Sequence, residues 1–265
     1  MVTIIEMGTF QHVLGPFTDH LLESGTDNYI YVVEWDDGCI VIDPAEERSV
    51  LDLLSNRTRS CALIVATHHH GDHVDGIPGL KKAMDCDVIG PAGSKIQGMT
   101  REVREGDVVE AGPIRLRVLE TPGHTATDIS YYAEDPGVVW CGDTLFSAGC
   151  GRLFECGPEI MWKSLIKLAT LPDATRVFCG HEYTASNLAF AASIEPESAR
   201  IQSEVQKVRE CRRSGRPTLP TTIGEQKLMN PFLRVSSTEL QTALGMIGEP
   251  PQVVFAELRR RKDRF

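Results

Sequence analysis

The sequence THHHGDH at residues 67–73 follows directly on the apolar segment ALIVA and holds four of the eight histidines in the chain. If the stretch is extended or turning, alternation places His68 and His70 on one face, with Asp72 and His73 just beyond them. Imidazole and carboxylate groups are common metal ligands. A closed metal site normally takes four ligands from several segments of the chain. Four donors in one short segment are therefore more than one such site would use. The stretch therefore indicates part of a metal site, and the alternative is a polar surface loop.

Three single donors elsewhere are candidates for the missing ligands. His124 lies in TPGHT, Asp143 in CGDT and His181 in CGHE, each after a predicted strand and beside a glycine. Glycine allows backbones to approach closely, and loops gather at one edge of a sheet. Taken singly, each of the three would more often be a capping or core residue. The joint pattern favours metal binding.

The number of donors points to a mechanism. Five histidines and two aspartates suit two divalent ions, each with three protein ligands, one shared carboxylate and an open position. The pKa of solvent between the ions would be lowered from its value in bulk water toward about 7, which yields hydroxide at neutral pH. The sequence has no GxSxG nucleophile elbow. We therefore expect hydrolysis by a metal-bridging hydroxide, with no catalytic nucleophile from the protein.

Hydrophobic patterning predicts a strand-rich core followed by a helical part. The predicted strands are Asn28–Glu34, Cys39–Asp43, 62–66, Ile114–Glu120, 128–133, 138–143 and 176–180. The predicted helices are 46–56, 159–169, 197–213 and 250–261, and strand signals stop after about residue 184. The predicted fold class is α+β, with domains at 1–184 and 185–265.

Composition narrows the functional class. The 265-residue chain has a formal net charge of −10, which disfavours non-specific binding to nucleic acid. It has no apolar span of 18 residues, and its first residues lack the layout of a signal peptide. Its eight cysteines are scattered without a CxxC pair, as in reduced cytosolic proteins. We expect a soluble cytoplasmic protein that contacts neither membrane nor nucleic acid.

The donor pattern HxHxDH at 68–73, with the later His124, Asp143 and His181, resembles the metallo-β-lactamase superfamily. The resemblance implies an αββα sandwich with a dinuclear site at one edge of its two sheets. It implies that one ion is held by His68, His70 and His124, the other by Asp72, His73 and His181, and that Asp143 bridges them. Asp43 matches the position that supports the histidine loop in this superfamily, and its alternative role is that of a strand-end turn residue.

Four longer stretches resemble the glyoxalase II (hydroxyacylglutathione hydrolase) family. They are 142–155, 180–191, 217–234 and the tail LRRRKDRF at 258–265. The resemblance includes the smaller helical C-terminal domain, which most superfamily relatives lack, and implies that this domain binds glutathione. The implied reaction is hydrolysis of S-D-lactoylglutathione to D-lactate and glutathione, a step in methylglyoxal detoxification.

The same resemblance implies which residues bind the substrate. Glutathione carries two carboxylates, which need cationic partners. The implied substrate-binding residues are Arg152, Tyr183, Arg259 and Lys262, the last two being treated as exposed groups at a helix end. For Arg259 and Lys262 the alternative is a solvated basic side chain near a helix C-terminus.

Four positions depart from the family pattern. Arg152 stands where lysine is frequent, and the two cations differ in hydrogen-bond geometry. Phe154 stands where some members have tyrosine, which removes one hydroxyl contact. Thr127 and Asp128 replace a Gly-His pair that often follows the ligand histidine.

Several alternatives stay open from the sequence. The two ions are expected to be zinc, with iron or manganese as alternatives, because the donor types suit all three. The partner is expected to be a small glutathione thioester, and the chain a monomer. The rival functions are a glutathione persulfide dioxygenase with mononuclear iron, a nuclease or lactonase of the same fold, and a non-catalytic metal-binding module.

Overall fold

The computed structural model describes residues 3–6, 9–55 and 60–265. They form two compact units, each with its own internal contacts. The first unit is Met1–Glu120 with Ile129–Gly142, and the second is Thr121–Asp128 with Asp143–Phe265.

The first unit contains an eight-stranded sheet whose strands lie side by side in chain order. The strands are β1 (Thr3–Glu6), β2 (Thr9–Leu14), β3 (Phe17–Ser24), β4 (Asn28–Glu34), β5 (Gly38–Ile42), β6 (Ser60–Val65), β7 (Asp87–Pro91) and β8 (Arg101–Val103). Neighbours from β1 to β5 are antiparallel, and those from β5 to β8 are parallel. The helices of this unit are α1 (Arg48–Leu54), α2 (Gly71–Val74) and α3 (Ile77–Met84).

Strand β5 shows how this sheet is covered. All five of its residues are buried, which is the pattern of a strand enclosed on both faces. Cys39 and Val41 belong to one apolar cluster with Val50 of α1 and Leu80 of α3. Ile40 and Ile42 have the opposite parity and therefore lie on the other face of the sheet.

A second group of strands completes the first unit. These are β9 (Val108–Ala111), β10 (Ile114–Glu120), β11 (Ile129–Ala133) and β12 (Val138–Trp140), each antiparallel to the next. The Tyr131 hydroxyl donates to the Ala66 carbonyl at 3.0 Å, and the Ile129 N–H donates to the Thr67 carbonyl at 3.0 Å. These bonds tie β11 to the chain just beyond β6, where the histidine stretch begins.

The second unit is mainly helical. It contains β13 (Leu145–Phe146), β14 (Gly149–Cys150), α4 (Pro158–Ala169), β15 (Arg176–Phe178), α5 (Thr184–Ile194), α6 (Ala199–Arg213), β16 (Thr221–Thr222), α7 (Ile223–Met229), α8 (Thr238–Leu244) and α9 (Pro251–Lys262). Local sequence fixes several helix starts: Ser198 and Ser237 cap α6 and α8, and Thr222 with Glu225 forms a capping box on α7. No helix in the described part of the chain is long and apolar enough to cross a membrane.

Most of the predicted elements are confirmed, with shifted ends, and some are wrong. The helix predicted to reach Asn56 runs from Arg48 to Leu54, and Asn56 lies outside the described residues. Strand signals do not stop at residue 184, because β16 pairs with β15. The histidine stretch is not wholly extended, because α2 begins at Gly71. The hydrophobic pattern did not indicate β1 to β3, β7 to β9, β13, β14, β16, α2, α3, α5, α7 and α8.

Candidate metal centre

The histidine stretch clusters three imidazoles in the first unit. His68 is almost completely buried, and its ring centroid lies 4.8 Å from that of His70. The helical turn α2 brings His73 back toward the start of the stretch, so that the His68 and His73 centroids are 4.1 Å apart. Alternation accounts for His68 and His70. The placement of His73 depends on the turn.

Asp43 supports this stretch through buried polar contacts. It lies directly after β5 with a φ of 49°, in the left-handed region that aspartate tolerates better than most residues. Its buried carboxylate accepts hydrogen bonds from the Thr67 N–H and hydroxyl, both at 2.7 Å, and contacts His73 Nδ1 at 3.1 Å. A carboxylate on Nδ1 keeps the proton there, which leaves the Nε2 lone pair of His73 for a metal. The supporting role implied for Asp43 matches these contacts.

Asp72 lies on the accessible side of the same turn. Its side chain is 50% exposed, and its Oδ2 lies 3.9 Å from His73 Nε2. Asn28 at the start of β4 donates to the Asp72 carbonyl at 2.9 Å and to Oδ2 at 3.1 Å. The carboxylate and the Nε2 of His73 therefore face one point, as two ligands of one ion would.

The second unit holds the other three predicted ligands. Asp143 Oδ2 lies 3.4 Å from His124 Nε2 and 3.3 Å from His181 Nε2. All three side chains are less than 10% exposed. Two imidazole nitrogens therefore lie within 3.4 Å of one carboxylate oxygen.

Backbone groups orient His124. Its Nδ1 lies 2.8 Å from the Arg152 carbonyl, so Nδ1–H donates and Nε2 keeps its lone pair. The Phe154 N–H donates to the His124 carbonyl at 3.2 Å. A side chain at Gly151 would collide with the Asp143 carbonyl oxygen. Glycine is therefore required at position 151, where the chain passes close to the residues Asp143 and His124.

Two predicted substrate residues lie near these ligands in the second unit. The Tyr183 ring is stacked on that of His181, with centroids 4.7 Å apart and planes 2° apart. The Arg152 side chain is 61% exposed, and its Nε lies 3.7 Å from Asp263 Oδ1. The Arg152 side chain is thus exposed, whereas Tyr183 is partly buried against the ligand His181.

The description of the tail as exposed is wrong for Arg259. Arg259 is 6% exposed, and its Nη1 donates to the Cys150 carbonyl at 3.0 Å. Its Nε and Nη2 donate to Asp263 Oδ1 at 3.1 and 2.9 Å. The guanidinium therefore joins α9 to β14, a structural task that the sequence pattern did not indicate.

Lys262 is half-buried and differs from Arg259. Its Nζ donates to the Ser186 carbonyl at 3.2 Å and to the Ser186 hydroxyl at 3.3 Å, and lies 5.4 Å from the ring centroids of Phe190 and Phe265. Burial, and secondarily the charge of Arg259, lowers the pKa of Lys262 to about 8. Its positive charge is therefore sensitive to pH in the mildly alkaline range.

The donors suit divalent metal ions. Each unit presents imidazole nitrogens and carboxylate oxygens, and in His73 and His124 the second ring nitrogen is occupied by an acceptor. The chain thus carries a histidine and aspartate cluster capable of binding metal ions. Sequence analysis missed the supporting residues Thr67 and Asp263, for which no pattern in one sequence gives a signal.

Comparison with known proteins identifies the class and then the family. The metallo-β-lactamase superfamily model matches residues 25–181, and the model of the hydroxyacylglutathione hydrolase C-terminus matches residues 182–265. The hydroxyacylglutathione hydrolase of Chelativorans sp. (strain BNC1) is 47% identical over 227 residues, covering 85% of this chain and 89% of the relative. The chain therefore belongs to the hydroxyacylglutathione hydrolase family of the metallo-β-lactamase superfamily, and it is an enzyme.

Solved structures agree with this fold. ETHE1 from Myxococcus xanthus superimposes with a TM-score of 0.63 and 26% identity, covering 92% of this chain and 97% of that one. TTHA1623, crystallised in a di-iron-bound form, superimposes with a TM-score of 0.57 and 26% identity, covering 78% of this chain and 95% of that one. The metallo-β-lactamase fold expected from the histidine pattern is confirmed.

Proposed function

We propose that this enzyme hydrolyses S-(2-hydroxyacyl)glutathione, with S-D-lactoylglutathione as the main substrate, to glutathione and a hydroxy acid. The observation that carries the proposal is the 47% identity with a hydroxyacylglutathione hydrolase over most of both chains. The match to the family's C-terminal model supports it further, because that segment contains Tyr183, Arg259 and Lys262. The persulfide dioxygenase alternative is not favoured, because relatives named hydroxyacylglutathione hydrolase are 43–47% identical over most of the chain and the family's C-terminal model matches.

We propose that the enzyme binds two metal ions and that both are zinc. One ion would be held by His68, His70 and His124, the other by Asp72, His73 and His181, with Asp143 shared. The close approach of two imidazole nitrogens to Asp143 Oδ2 supports a shared carboxylate. The di-iron form of TTHA1623 supports a pair of ions and keeps iron as an alternative.

The chemistry follows from what each part provides. When bound, the metal ions supply Lewis acidity that polarises the thioester carbonyl and makes water nucleophilic near neutral pH. Asp43 keeps His73 in the tautomer that can ligate, and the Arg152 carbonyl does the same for His124. The ring of Phe154, which is 60% exposed, lies 5.1 Å from that of His124 and adds an apolar surface beside this ligand.

The glutathione moiety would be held by residues of the second unit. Tyr183, stacked on His181, provides a hydroxyl beside the ligands. Arg152 and Lys262 provide accessible cations for carboxylates. Arg259 would act mainly by fixing the end of α9, on which Lys262 lies, because its own donors are bonded to Cys150 and Asp263.

We also propose the expected division at residues 184/185 and a cytoplasmic monomer. All eight cysteines are free thiols, which suits a reducing compartment. The acidic net charge of −10 disfavours a nucleic-acid partner.

Hydrolysis of S-D-lactoylglutathione, followed alongside metal analysis of the same preparation, tests this function. We expect two metals per chain, loss of activity on chelation, and recovery on adding zinc. A matched thioester without glutathione should be a much poorer substrate. Full metal loading without hydrolysis of the glutathione thioester would overturn the proposal.

A further inference from the structure

The segment that carries His124 is a loop closed by its own hydrogen bonds. The Thr121 N–H donates to the Asp128 carbonyl at 2.8 Å, and the Gly123 N–H donates to the Thr125 carbonyl at 2.8 Å. Residues 121–128 contain no helix or strand. The position of His124 therefore depends on contacts within this loop and on its bonds to the 152–154 segment, from Nδ1 to the Arg152 carbonyl and from the Phe154 N–H to the His124 carbonyl.

Asp128 makes the most concentrated of these contacts. Its carboxylate is 3% exposed, and both oxygens accept from one residue, Thr125, which is fully buried. Oδ2 accepts from the Thr125 N–H at 2.7 Å, and Oδ1 accepts from the Thr125 hydroxyl at 2.5 Å. The first bond fixes the peptide that follows His124, and the second fixes the Thr125 rotamer.

A second carboxylate acts on the next peptide but in a different setting. Glu155 is exposed, and its Oε2 accepts from the Ala126 N–H at 2.7 Å. Hydrogen bonds to a charged group are worth more when water cannot replace them. Of the two carboxylates, buried Asp128 is therefore the one whose removal water compensates least.

We propose that Asp128 is a positioning residue for the metal ligand His124. It acts through Thr125, by holding the backbone on which the imidazole is mounted. This inference rests on the proposed function, in which His124 binds a metal ion. It also gives a physical role to a departure from the family pattern, since Thr127-Asp128 stands where Gly-His is frequent. Supporting contacts of this kind change metal affinity by about 10–100-fold.

The test is a zinc competition titration against a chromophoric chelator, which needs no enzyme activity. We expect Asp128→Ala to weaken the weaker of the two zinc affinities by about 10–100-fold. Asp128→Asn keeps one acceptor oxygen and should fall between Ala and the wild type. Asp173→Ala, which removes an exposed carboxylate of the same unit, is the matched control and should bind zinc like the wild type.

A double-mutant cycle separates positioning from a general structural role. In a His124→Ala background, Asp128→Ala should cause no further loss of zinc affinity, because its effect passes through His124. An equal loss in both backgrounds would overturn the inference. If Asp128→Ala does not fold, Thr125→Val replaces it, since it removes the hydroxyl donor to Oδ1. Thr125→Ser should then restore zinc affinity, and failure to do so would also count against the inference.

Kinetics give an independent readout. With metal limiting, Asp128→Ala should lower kcat while KM for lactoylglutathione changes by less than about twofold, because the groups that hold glutathione lie outside residues 121–128. If His124→Ala leaves zinc affinity unchanged, the proposed metal site itself fails. If His124→Ala weakens zinc binding but Asp128→Ala behaves like Asp173→Ala, only the positioning role fails.

Discussion

The histidine stretch at 67–73 and the basic tail at 258–265 look equally dense in the sequence but differ in the structure. In the stretch, the rings of His68, His70 and His73 form one cluster. The end of a strand and a helical turn bring these rings together. In the tail, neighbouring cations have unlike environments. Arg259 is buried and bonded to Cys150, whereas Arg260 is paired with Glu257 at the surface.

The difference shows what a local motif can convey. Metal ligands must meet at one point, so their spacing along the chain is restricted and the motif is informative. Cations on a helix are distributed by its 3.6-residue period, and four in succession must point in different directions. A run of basic residues therefore says that a helix end is basic, but it does not say which residue is available to a substrate.

The largest effect is expected for a substitution of a proposed metal ligand. Asp143→Ala removes the carboxylate approached by both His124 and His181, and leaves no shared anionic ligand between the proposed ions. Lewis acid assistance is worth several kcal/mol, so we expect activity to fall by about a thousandfold or more. Metal analysis should give fewer than two ions per chain. Two retained ions with near-normal turnover would contradict the bridging role.

The next prediction tests the register of the histidine stretch. His70→Ala should weaken metal binding and lower activity by about a hundredfold. His69→Ala should keep both ions and most activity, because the proposed ligand set contains His70 and not His69, although the two rings lie 5.1 Å apart. The paired variants differ by one position in the same segment, so each controls for the other. Equal loss of metal from both would show that the assigned register is wrong.

The sequence predicted the fold class because the core strands are continuous apolar runs and the ligand motif is local. NYIYVVE and CIVID became β4 and β5 almost residue for residue. Short elements such as β16, only two residues long, carry no periodicity and could not be found. Helix α5 was missed because its apolar residues surround it on most sides, so no amphipathic stripe marks it.

The supporting contacts of the site were less accessible to sequence reasoning. Asp43 and Asp128 act on residues 24 and 3 positions away, through hydrogen bonds that depend on local backbone geometry. No spacing rule links an aspartate at one strand end to a threonine just beyond the end of a neighbouring strand. Only the register of the parallel pair β5 and β6 makes that contact visible.

A smaller effect separates the two tail residues. Arg259→Ala removes a buried guanidinium with bonds to the Cys150 carbonyl and Asp263, so we expect a loss of unfolding free energy of about 2 kcal/mol. Lys262→Ala should change stability less and raise KM for lactoylglutathione by about tenfold. Thermal unfolding and steady-state kinetics on both variants give the comparison.

A thioester lacking glutathione is the control for these two variants. Lys262→Ala should leave its hydrolysis nearly unchanged, because a remote cation contributes only to binding the glutathione part. Arg259→Ala should impair both substrates to a similar extent if it acts through the Cys150 carbonyl, because the next residue, Gly151, lies against the ligands Asp143 and His124. The reverse assignment, with Arg259→Ala selective and Lys262→Ala general, would exchange the roles given to the two residues.

The smallest expected effect is a pH dependence of substrate affinity. Burial lowers the pKa of Lys262 from 10.5 to about 8. Below pH 8 the ammonium is present and can pair with a glutathione carboxylate, and above pH 8 it is progressively lost. KM for lactoylglutathione should therefore rise severalfold between about pH 7 and 9, while the same range should barely affect KM in Lys262→Arg, whose guanidinium stays charged. The same titration of Lys262 has the opposite effect on the free energy of unfolding. Between about pH 8 and 10.5 the folded state binds fewer protons than the unfolded state, so this group makes the protein more stable as pH rises through that window. Bound substrate carboxylate should raise the pKa of Lys262, which an amine-selective probe would detect as slower labelling in the presence of glutathione. A KM that rises equally in wild type and Lys262→Arg would assign the pH dependence to another group and remove Lys262 from substrate binding.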